Sequence, residues 1–458
     1  MPILVHPISK ADEQKENRHS HKEKEAFFPF EQRAHPFLAV LSVMCHHRNG
    51  IPQHLFFEHE KRLVFISLQI WYTRVCTCYV VKKAGLPMTK ILISGYYGFH
   101  NAGDDAVLYG IYSSLRKLDP TVEVTVLSNS PEETMQLFHI HAVNRWNALD
   151  IVKEIRRADL VLLGGGTLLQ DRTSPRSPLY YLGIAGLAKG MGKPVFFYGQ
   201  GYGPIIHPFS KRIIRFLLNR VDAITVRDSL SGEEMRSHGV TKVPIYVAAD
   251  PALTIDPLEA DLEDARRRLT KHQVDPDAPI AYIAIRDWKG EEHFKEELAR
   301  CGDNLSRLGW QVVFLSMQYP HDHSPSVDVM SKMKNRAVLI DQPLNFKEIM
   351  SLIGLGQLMI GMRLHALILA AIMGVPFIAL SYDPKIDRFV ESVGKSSPVR
   401  IENLDGDALM EEVKEILLRL PEERMELKQR IGPITDQAFE SARLLYRLLE
   451  KKKQEEKR

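Results

Sequence analysis

The feature that most constrains this chain is a unit that recurs along it: a short apolar run, a loop rich in glycine or polar residues, and a helical pattern. The first unit reads KILISGYYGFHNAGDDAVLYGIYSSLRKL from Lys90. Strands of a parallel sheet are buried on both faces, so they read as continuous rather than alternating apolar runs. The recurrence therefore predicts an α/β fold of parallel sheets with flanking helices.

The units form two sets on either side of a polar stretch at residues 257–277. We expect two Rossmann-like domains, at residues 88–256 and 278–435, with that stretch as the linker. A C-terminal helix that starts at Asp436 and ends in a charged tail should occupy residues 436–458. In open α/β sheets ligands bind at the carboxyl ends of the strands, so the loops after the strands should line a cleft between the domains.

Residues 1–87 lack the recurring unit and any sustained periodicity. Within them, residues 63–81 form an apolar run about long enough to span a bilayer, but Gln69 and Arg74 lie inside it, and a central arginine is costly there. A membrane anchor is one interpretation. We favour the other, an unstructured extension with the folded protein beginning at Met88.

Charge and cysteine content limit the partners and the compartment. A net charge of +3 over 458 residues is too small to indicate a nucleic-acid partner. The chain has four cysteines, which do not make a disulfide framework at this length. Cys76-Thr-Cys78 also lacks the spacing of a zinc site. A reducing, cytoplasmic setting fits these features best.

Basic side chains follow several of the predicted strands. Arg227, Arg286, Arg363 and Lys385 should all point into one cleft. A single pair such as Arg227-Asp228 is commonly a surface ion pair or a helix cap. The convergence of four cations instead indicates an anionic ligand, because guanidinium groups bind carboxylate and phosphate with two parallel hydrogen bonds.

Two histidine patterns allow more than one interpretation. His365 stands on an otherwise apolar helix, as a core histidine would. It opens that helix directly after a strand, however, where the helix N-terminus favours anions, so we favour a functional role. His321-Asp322-His323 has an HxH spacing but no third ligand at a fixed spacing, so we expect a polar loop that faces the ligand and no metal.

Seven motifs occur in order between Met88 and about Tyr446: GYYGFHNAGDDA (95–106), LGGGTLLQD (163–171), GQGYGP (199–204), TVRDSLS (225–231), IRDW (285–288), GMRLHALILA (361–370) and SYDPKI (381–386). Together they resemble the polysaccharide pyruvyl transferase family, and within it the bacterial cell-wall pyruvyl transferases. The resemblance implies two Rossmann-like domains similar to the GT-B glycosyltransferase fold. We expect no cofactor and no metal.

The resemblance also implies a reaction. A pyruvyl group would pass from phosphoenolpyruvate to a sugar, with a 4,6-ketal formed and phosphate released. For the cell-wall branch, the implied acceptor is N-acetylmannosamine in a lipid-diphosphate-linked disaccharide, and the pyruvylated polymer would anchor S-layer proteins. The rival interpretations are a GT-B nucleotide-sugar glycosyltransferase and a non-catalytic protein that binds sugar or nucleotide.

Roles for individual residues follow from the resemblance and from the chemistry. Arg227, Arg286, His365 and Lys385 would surround phosphoenolpyruvate, with His365 as the general acid. Either Asp104 or Asp171 would be the general base. The acceptor-binding groups would be Tyr97, Asn101, Asp104, Gln170, Gln200 and His321.

The glycine-rich loop after the first strand would ordinarily indicate a phosphate site. Asp104 and Asp105 would repel an anionic donor, so we assign this loop to the acceptor side. Asp105 is expected to cap a helix that begins at Ala106.

A basic amphipathic helix is predicted at residues 207–220, where Lys211, Arg212 and Arg215 flank an apolar stripe. Peripheral contact with anionic lipid explains this pattern as well as ordinary domain packing with a solvated basic face does. Lipid contact would place the protein at the inner face of the cell membrane.

Overall fold

The first half of the chain forms a parallel sheet. The computed structural model describes residues 88–171, 176–288, 292–395 and 399–456, all within one compact unit. The strands of this sheet are β1 (Lys90–Ser94), β2 (Glu123–Ser128), β3 (His141–Asn144), β4 (Leu160–Gly164), β5 (Val195–Gln200), β6 (Ala223–Val226) and β7 (Ile245–Val247), in the order β3-β2-β1-β4-β5-β6-β7. The helices that follow them are α1 (Ala102–Leu118), α2 (Pro131–Phe138), α3 (Ala148–Arg157), α4 (Arg176–Gly190), α5 (Pro208–Leu218) and α6 (Ser229–Ser237).

The second half repeats this design after α7 (Leu262–Lys271). Its strands are β8 (Ile280–Ala284), β9 (Gln311–Leu315), β10 (Ala337–Ile340), β11 (Leu358–Gly361), β12 (Phe377–Ser381) and β13 (Val399–Arg400), in the order β10-β9-β8-β11-β12-β13. The helices are α8 (His293–Arg307), α9 (His323–Lys332), α10 (Phe346–Leu355), α11 (Leu364–Ile372), α12 (Pro384–Ser392), α13 (Gly406–Leu418) and α14 (Leu420–Glu456).

This architecture confirms the predicted α/β class with two parallel sheets. Strands β4 and β8 are buried along their whole length, which explains their apolar sequences without alternation. The strand order reverses between β1 and β4 in the first sheet and between β8 and β11 in the second. Ligand crevices form beyond the carboxyl ends of strands at such reversals. The loops after these four strands are therefore the ones placed to hold a ligand.

The last helix returns from the second half to the first. The sequence places its start at Asp436, but α14 begins at Leu420 and continues through Pro433, and its own Leu427 and Ile431 are buried. Hydrogen bonds then tie it to the first half: Thr435 Oγ1 to the Leu253 carbonyl at 3.2 Å, Ser441 Oγ to Thr225 Oγ1 at 2.9 Å, and Tyr446 Oη to the Leu115 carbonyl at 3.3 Å. Tertiary packing thus extends this helix past its proline.

A short segment at the end of the first half packs tightly against α1. Asp250 caps a 3₁₀ helix, Pro251–Thr254, by accepting a hydrogen bond from the Ala252 amide at 3.1 Å. Thr254 Oγ1 then donates to the Gly110 carbonyl at 3.0 Å. The contact is so close that only glycine fits at position 110, because a Cβ there would stand 2.0 Å from the Pro251 carbonyl oxygen.

The predicted linker contains regular structure of its own. Residues 257–277 include a 3₁₀ helix, Pro257–Glu259, as well as α7. Lys347 of α10 binds Glu259 at 2.7 Å, and Arg268 of α7 binds Glu348 at 2.5 Å. These ion pairs attach the segment to the second half.

The apolar run at residues 63–81 and the cysteines Cys45, Cys76 and Cys78 lie outside the described residues. Among the described helices, none combines the length and the apolar character that crossing a bilayer requires.

Replacement of Gly110 by Ala should destabilise the protein by about 1–3 kcal/mol, because the added methyl group meets main chain that cannot rotate away. Gly183 of α4 is the matched control, since a Cβ there meets nothing within 4 Å. Gly183→Ala should be neutral or should stabilise by up to about 1 kcal/mol through helix propensity. Urea unfolding measures both, and equal stability of Gly110→Ala and the parent would contradict the packing described here.

Candidate active site

A cleft of about 890 Å³ lies between the carboxyl ends of the two sheets. The loops after β1, β4, β5 and β6 form one wall, and those after β8, β9, β11 and β12 form the other. Main-chain contacts join the walls: the Ala102 amide donates to the Met317 carbonyl at 2.9 Å, and Asn101 forms a β-bridge with Gln318. Residues that are far apart in sequence therefore meet here.

His365 lies in the first turn of α11, directly against the opposite wall. A Cβ at Gly103 would stand 2.3 Å from its Nδ1, so the glycine makes room for the imidazole. Within the described part of the chain its buried Nε2 has no hydrogen-bond partner, and Asp250 Oδ2 lies 3.7 Å away. A cleft-lining imidazole at a helix N-terminus suits both proton transfer and an anionic ligand.

Asp250 is a site residue that sequence reasoning missed. Its buried carboxylate accepts a hydrogen bond from Nη1 of Arg227 at 3.2 Å. Burial by itself raises the pKa of Asp250, but His365, Arg227 and the Ala252 amide outweigh burial and lower that pKa to about 2. The only signal in the sequence was an aspartate before a proline, which is the ordinary pattern of a cap.

Among the described residues, Arg286 and Lys385 form no ion pair with a carboxylate. Arg286 Nη1 donates to Tyr382 Oη at 3.2 Å, and Lys385 Nζ lies 5.6 Å from the centroid of the same ring. Across the described ranges, neither has a carboxylate oxygen within 4.0 Å. Burial raises the pKa of Tyr382, but Lys385 and Arg286 outweigh burial and lower it below its ordinary value. Two such cations suit the carboxylate and phosphate groups of a small anion.

Arg363, grouped with these cations by sequence, binds the protein instead. Its Nε donates to Oδ2 of Asp322 at 3.0 Å, and its Nη2 donates to Oδ1. The buried Asp322 carboxylate also accepts the amides of Met317 and Gln318, at 3.1 and 3.0 Å. Arg363 therefore lines the cleft while it fastens the loop after β9 to the start of α11.

The other members of the HxH pattern diverge. His321 is exposed and does not line the cleft, and His323 Nε2 lies 3.4 Å from Asp341 Oδ2. In the ranges that the structure describes, no cluster of three His, Cys, Asp or Glu side chains could hold a metal ion.

The loop after β1 presents the carboxylate of Asp104 to the cleft. The prediction that Asp105 caps a helix beginning at Ala106 is wrong: α1 begins at Ala102, and Asn101 is its cap, accepting from the Gly103 amide at 3.1 Å. The helix begins four residues earlier than predicted, because the Asn101 side chain accepts a hydrogen bond from the otherwise free Gly103 amide.

The two aspartates of this turn have pKa values above the ordinary value of an aspartate. Burial raises the pKa of Asp104 from 3.8 to about 6, although His365 and Lys385 oppose the rise. Burial, together with the charge of Asp104, raises the pKa of Asp105 to about 7. A carboxylate that ionises near neutral pH is suited to act as a general base.

Asp171 takes a structural position. It does not line the cleft, and its two oxygens accept the amides of Ile206 at 2.6 Å and His207 at 3.0 Å. Burial raises the pKa of Asp171, but these hydrogen bonds outweigh burial and lower it below its ordinary value. Of the two candidate bases, the geometry therefore favours Asp104.

The predicted acceptor-binding residues divide into two groups. Asn101, Asp104 and Gln170 line the cleft. Tyr97 and Gln200 are buried below it, where Tyr97 Oη donates to the Gly164 carbonyl and Gln200 Nε2 to the Leu163 carbonyl, both at 3.1 Å. With His321 they lie outside the cleft lining.

Aromatic rings that sequence reasoning gave no role line the same wall. Tyr96 and Tyr181 both face the cleft, and Tyr96 stacks on Phe99 with ring centroids 4.2 Å apart. Behind them lies the buried Arg145, whose guanidinium carbon is 5.1 Å from the Phe99 centroid and 4.2 Å from that of Tyr180. Flat aromatic faces beside carboxylate and amide groups are typical of sites that bind neutral polar rings.

Arg388 also lines the cleft and connects its two walls. From α12 it binds Glu234 at 2.9 Å and Asp228 at 3.4 Å, both in the first half. Sequence alone could not match these partners.

Comparison with known proteins identifies both a family and a fold. The family model for polysaccharide pyruvyl transferase matches residues 101–384. The amylovoran biosynthesis protein AmsJ of Erwinia amylovora is 23% identical over 354 residues, covering 65% of this chain and 84% of that protein. Anabaena Alr3699/HepE in complex with UDP-glucose superposes with a TM-score of 0.55 at 12% identity, covering 79% of this chain and 99% of the other. S. aureus MnaA with UDP superposes with a TM-score of 0.55 at 14% identity, covering 78% of this chain and 95% of the other. These likenesses confirm an architecture shared with GT-B glycosyltransferases and epimerases.

Replacement of Lys385 by Ala should raise the pKa of Asp104 further, because a cation that favours the ionised carboxylate is lost. The parent Asp104 should titrate at about pH 6. Because this folded-state pKa lies above 3.8, the protonated carboxyl stabilises the fold below pH 3.8, and that contribution is lost as the pH rises through about 6. Carbon NMR of labelled aspartate measures the midpoint. Lys347→Ala, in which the lost cation pairs with Glu259, is the control and should leave the midpoint of Asp104 unchanged. An unchanged midpoint in Lys385→Ala would contradict the electrostatic influence of Lys385 on Asp104.

Proposed function

Since the chain belongs to the polysaccharide pyruvyl transferase family, we propose that it transfers a pyruvyl group from phosphoenolpyruvate to a sugar of a polysaccharide precursor. A 4,6-ketal would form and phosphate would leave. The observation that carries this proposal is a cleft with Arg286 and Lys385, which form no ion pair with a described carboxylate, on one wall and Asp104 on the other. The name of the E. amylovora relative supports a role in exopolysaccharide formation.

The donor would lie on the wall formed by the second half. Phosphoenolpyruvate is a compact polyanion, so Arg286 and Lys385 would bind its carboxylate and phosphate. The N-terminus of α11 adds favourable potential beside His365. Arg227 would complete the donor site from the other wall, with Nη1 on Asp250 and Nη2 on Thr167 at 3.1 Å.

The reaction would begin with protonation of the C3 methylene by His365, which makes C2 electrophilic. One sugar hydroxyl then attacks C2 and gives up its proton to Asp104. The C2–oxygen bond to phosphate breaks, and phosphate leaves with that electron pair. The second sugar hydroxyl attacks C2, loses its proton and closes the ketal ring. Of the two protons lost by the hydroxyls, one replaces the proton given to C3, and the other protonates the released phosphate.

The acceptor would lie on the wall formed by the first half. Asn101, Asp104 and Gln170 would bind the hydroxyl groups of a neutral sugar, and Tyr96 would pack against its ring. The proposed acceptor is N-acetylmannosamine of a lipid-diphosphate-linked cell-wall precursor, and its pyruvylated polymer would anchor S-layer proteins. A lipid-linked acceptor implies work in the cytoplasm at the inner face of the membrane.

A nucleotide-sugar glycosyltransferase is the second candidate, because relatives in fold were solved with UDP or UDP-glucose. Those sites usually hold the ribose with a carboxylate near the final strands. Here Asp383, after β12, accepts the Lys385 amide at 3.1 Å as the cap of α12. Its neighbours in the cleft are cationic, which favours a small polyanion.

The substrate class can be tested directly. The full chain is incubated with a lipid-linked disaccharide analogue and either phosphoenolpyruvate or a UDP-sugar, and phosphate release and acceptor mass are measured. We expect phosphate release with gain of a pyruvyl group. Gain of a hexose from the UDP-sugar would instead establish the glycosyltransferase, and no transfer from either donor would remove both.

Replacement of His365 by Ala should lower kcat for phosphate release by a factor on the order of 10²–10⁴, the contribution of a positioned acid-base group. His323→Ala is the matched control, because it removes an imidazole that pairs with Asp341 outside the cleft lining. It should retain parental kcat. Near-normal turnover of His365→Ala would contradict the assignment of His365 as the general acid.

A further inference from the structure

Three large apolar side chains are exposed on one short stretch of the first half. Ile206, Phe209 and Phe216 are 59%, 65% and 56% exposed. Single exposed apolar residues are normal on protein surfaces. Phe209 and Phe216, however, stand two turns apart on α5 and so share one face of the helix. The opposite face of α5 already packs against the protein, since Ile214 and Leu218 are buried in the core.

The charge on this stretch has one sign. From Ile205 to Arg220 there is no aspartate or glutamate, while Lys211, Arg212, Arg215 and Arg220 are present. Arg212 and Arg215 are exposed. The Arg220 guanidinium carbon lies 3.7 Å from the centroid of the Phe216 ring, so apolar and cationic groups are interleaved.

We propose that Ile206, Phe209, Arg212, Arg215 and Phe216 form a docking surface for an anionic lipid bilayer. Exposed aromatic residues bordered by Arg and Lys are the pattern of helices that lie in the membrane interface. The rings would enter the boundary between headgroups and acyl chains, and the cations would meet the lipid phosphates. The one-signed charge selects an anionic partner, and the bulky rings select one with an apolar layer beneath its anionic groups.

The docking surface is attached to the cleft by a short link. Gly203 and Pro204 line the cleft, and the next residues lead directly to Ile206. The Asp171 carboxylate holds the Ile206 and His207 amides at this junction. Docking would therefore bring the cleft to the bilayer, where a lipid-linked sugar would be presented. This last step rests on the proposed function, whereas lipid binding does not.

Vesicle co-sedimentation of the full chain tests the proposal. The parent should bind phosphatidylglycerol vesicles, should bind phosphatidylcholine vesicles much less, and should dissociate as salt rises. Phe209→Ser/Phe216→Ser and Arg212→Gln/Arg215→Gln should each weaken binding by about tenfold or more.

The control carries the same kinds of change elsewhere. Leu258→Ser/Arg267→Gln alters residues that are 89% and 67% exposed in the linker region, and it should bind vesicles as the parent does. Absence of parental binding to anionic vesicles, or full binding by the Phe variant, would overturn the proposal. Phosphate release with a soluble acceptor distinguishes lipid docking from the proposed reaction. The Phe and Arg docking variants should release phosphate as the parent does. Absence of phosphate release in the parent would count against the proposed reaction alone.

Discussion

The buried ion pair between Asp250 and Arg227 is the contact on which the candidate site depends. Asp250 also caps the 3₁₀ helix that packs on Gly110 of α1 and that α14 reaches through Thr435. Its carboxylate lies 3.7 Å from Nε2 of His365 in the second half. Breaking a buried pair by removal of one partner destabilises by about 3–5 kcal/mol, because the other charge stays buried and uncompensated. One carboxylate therefore ties the fold of the first half to the position of the imidazole.

Two carboxylates of this site have opposite pKa shifts, and their surroundings explain why. His365, the bound Arg227 and the Ala252 amide together outweigh burial at Asp250, so its pKa falls to about 2 and it stays ionised. His365 and Lys385 act on Asp104 through charge alone, without a hydrogen bond, so burial prevails and its pKa rises to about 6. Separated values of this kind are how one site acquires distinct electrostatic and proton-transfer roles. Under the proposed mechanism, Asp250 would act as a fixed charge and Asp104 would exchange a proton.

Sequence patterns could predict the fold class and the loops of the cleft, because continuous apolar strands and their order dictate where carboxyl ends meet. They also predicted that Arg286 and Lys385, which follow strands, would line the cleft. They could not separate Tyr96 from Tyr97, because the two-residue periodicity that orients side chains ends with the strand. Nor could they show that Arg363 is bound by Asp322, 41 residues away, because that pairing depends on the conformation of a loop.

Asp171, one of the two predicted bases, lies outside the cleft lining and binds main-chain amides. Sequence reasoning chose it as a base because it closes a glycine-rich motif after a strand, and a carboxylate there would face the cleft. Each oxygen instead accepts one main-chain amide, the hydrogen bonds favour the ionised carboxylate, and the residue does not line the cleft. The same bonds set the direction in which the chain leaves the cleft toward α5. If the proposed function and the proposed lipid contact hold, a carboxylate that fixes this junction would also set the orientation of Asp104 relative to the docking surface, as transfer to an acceptor held at a bilayer would require.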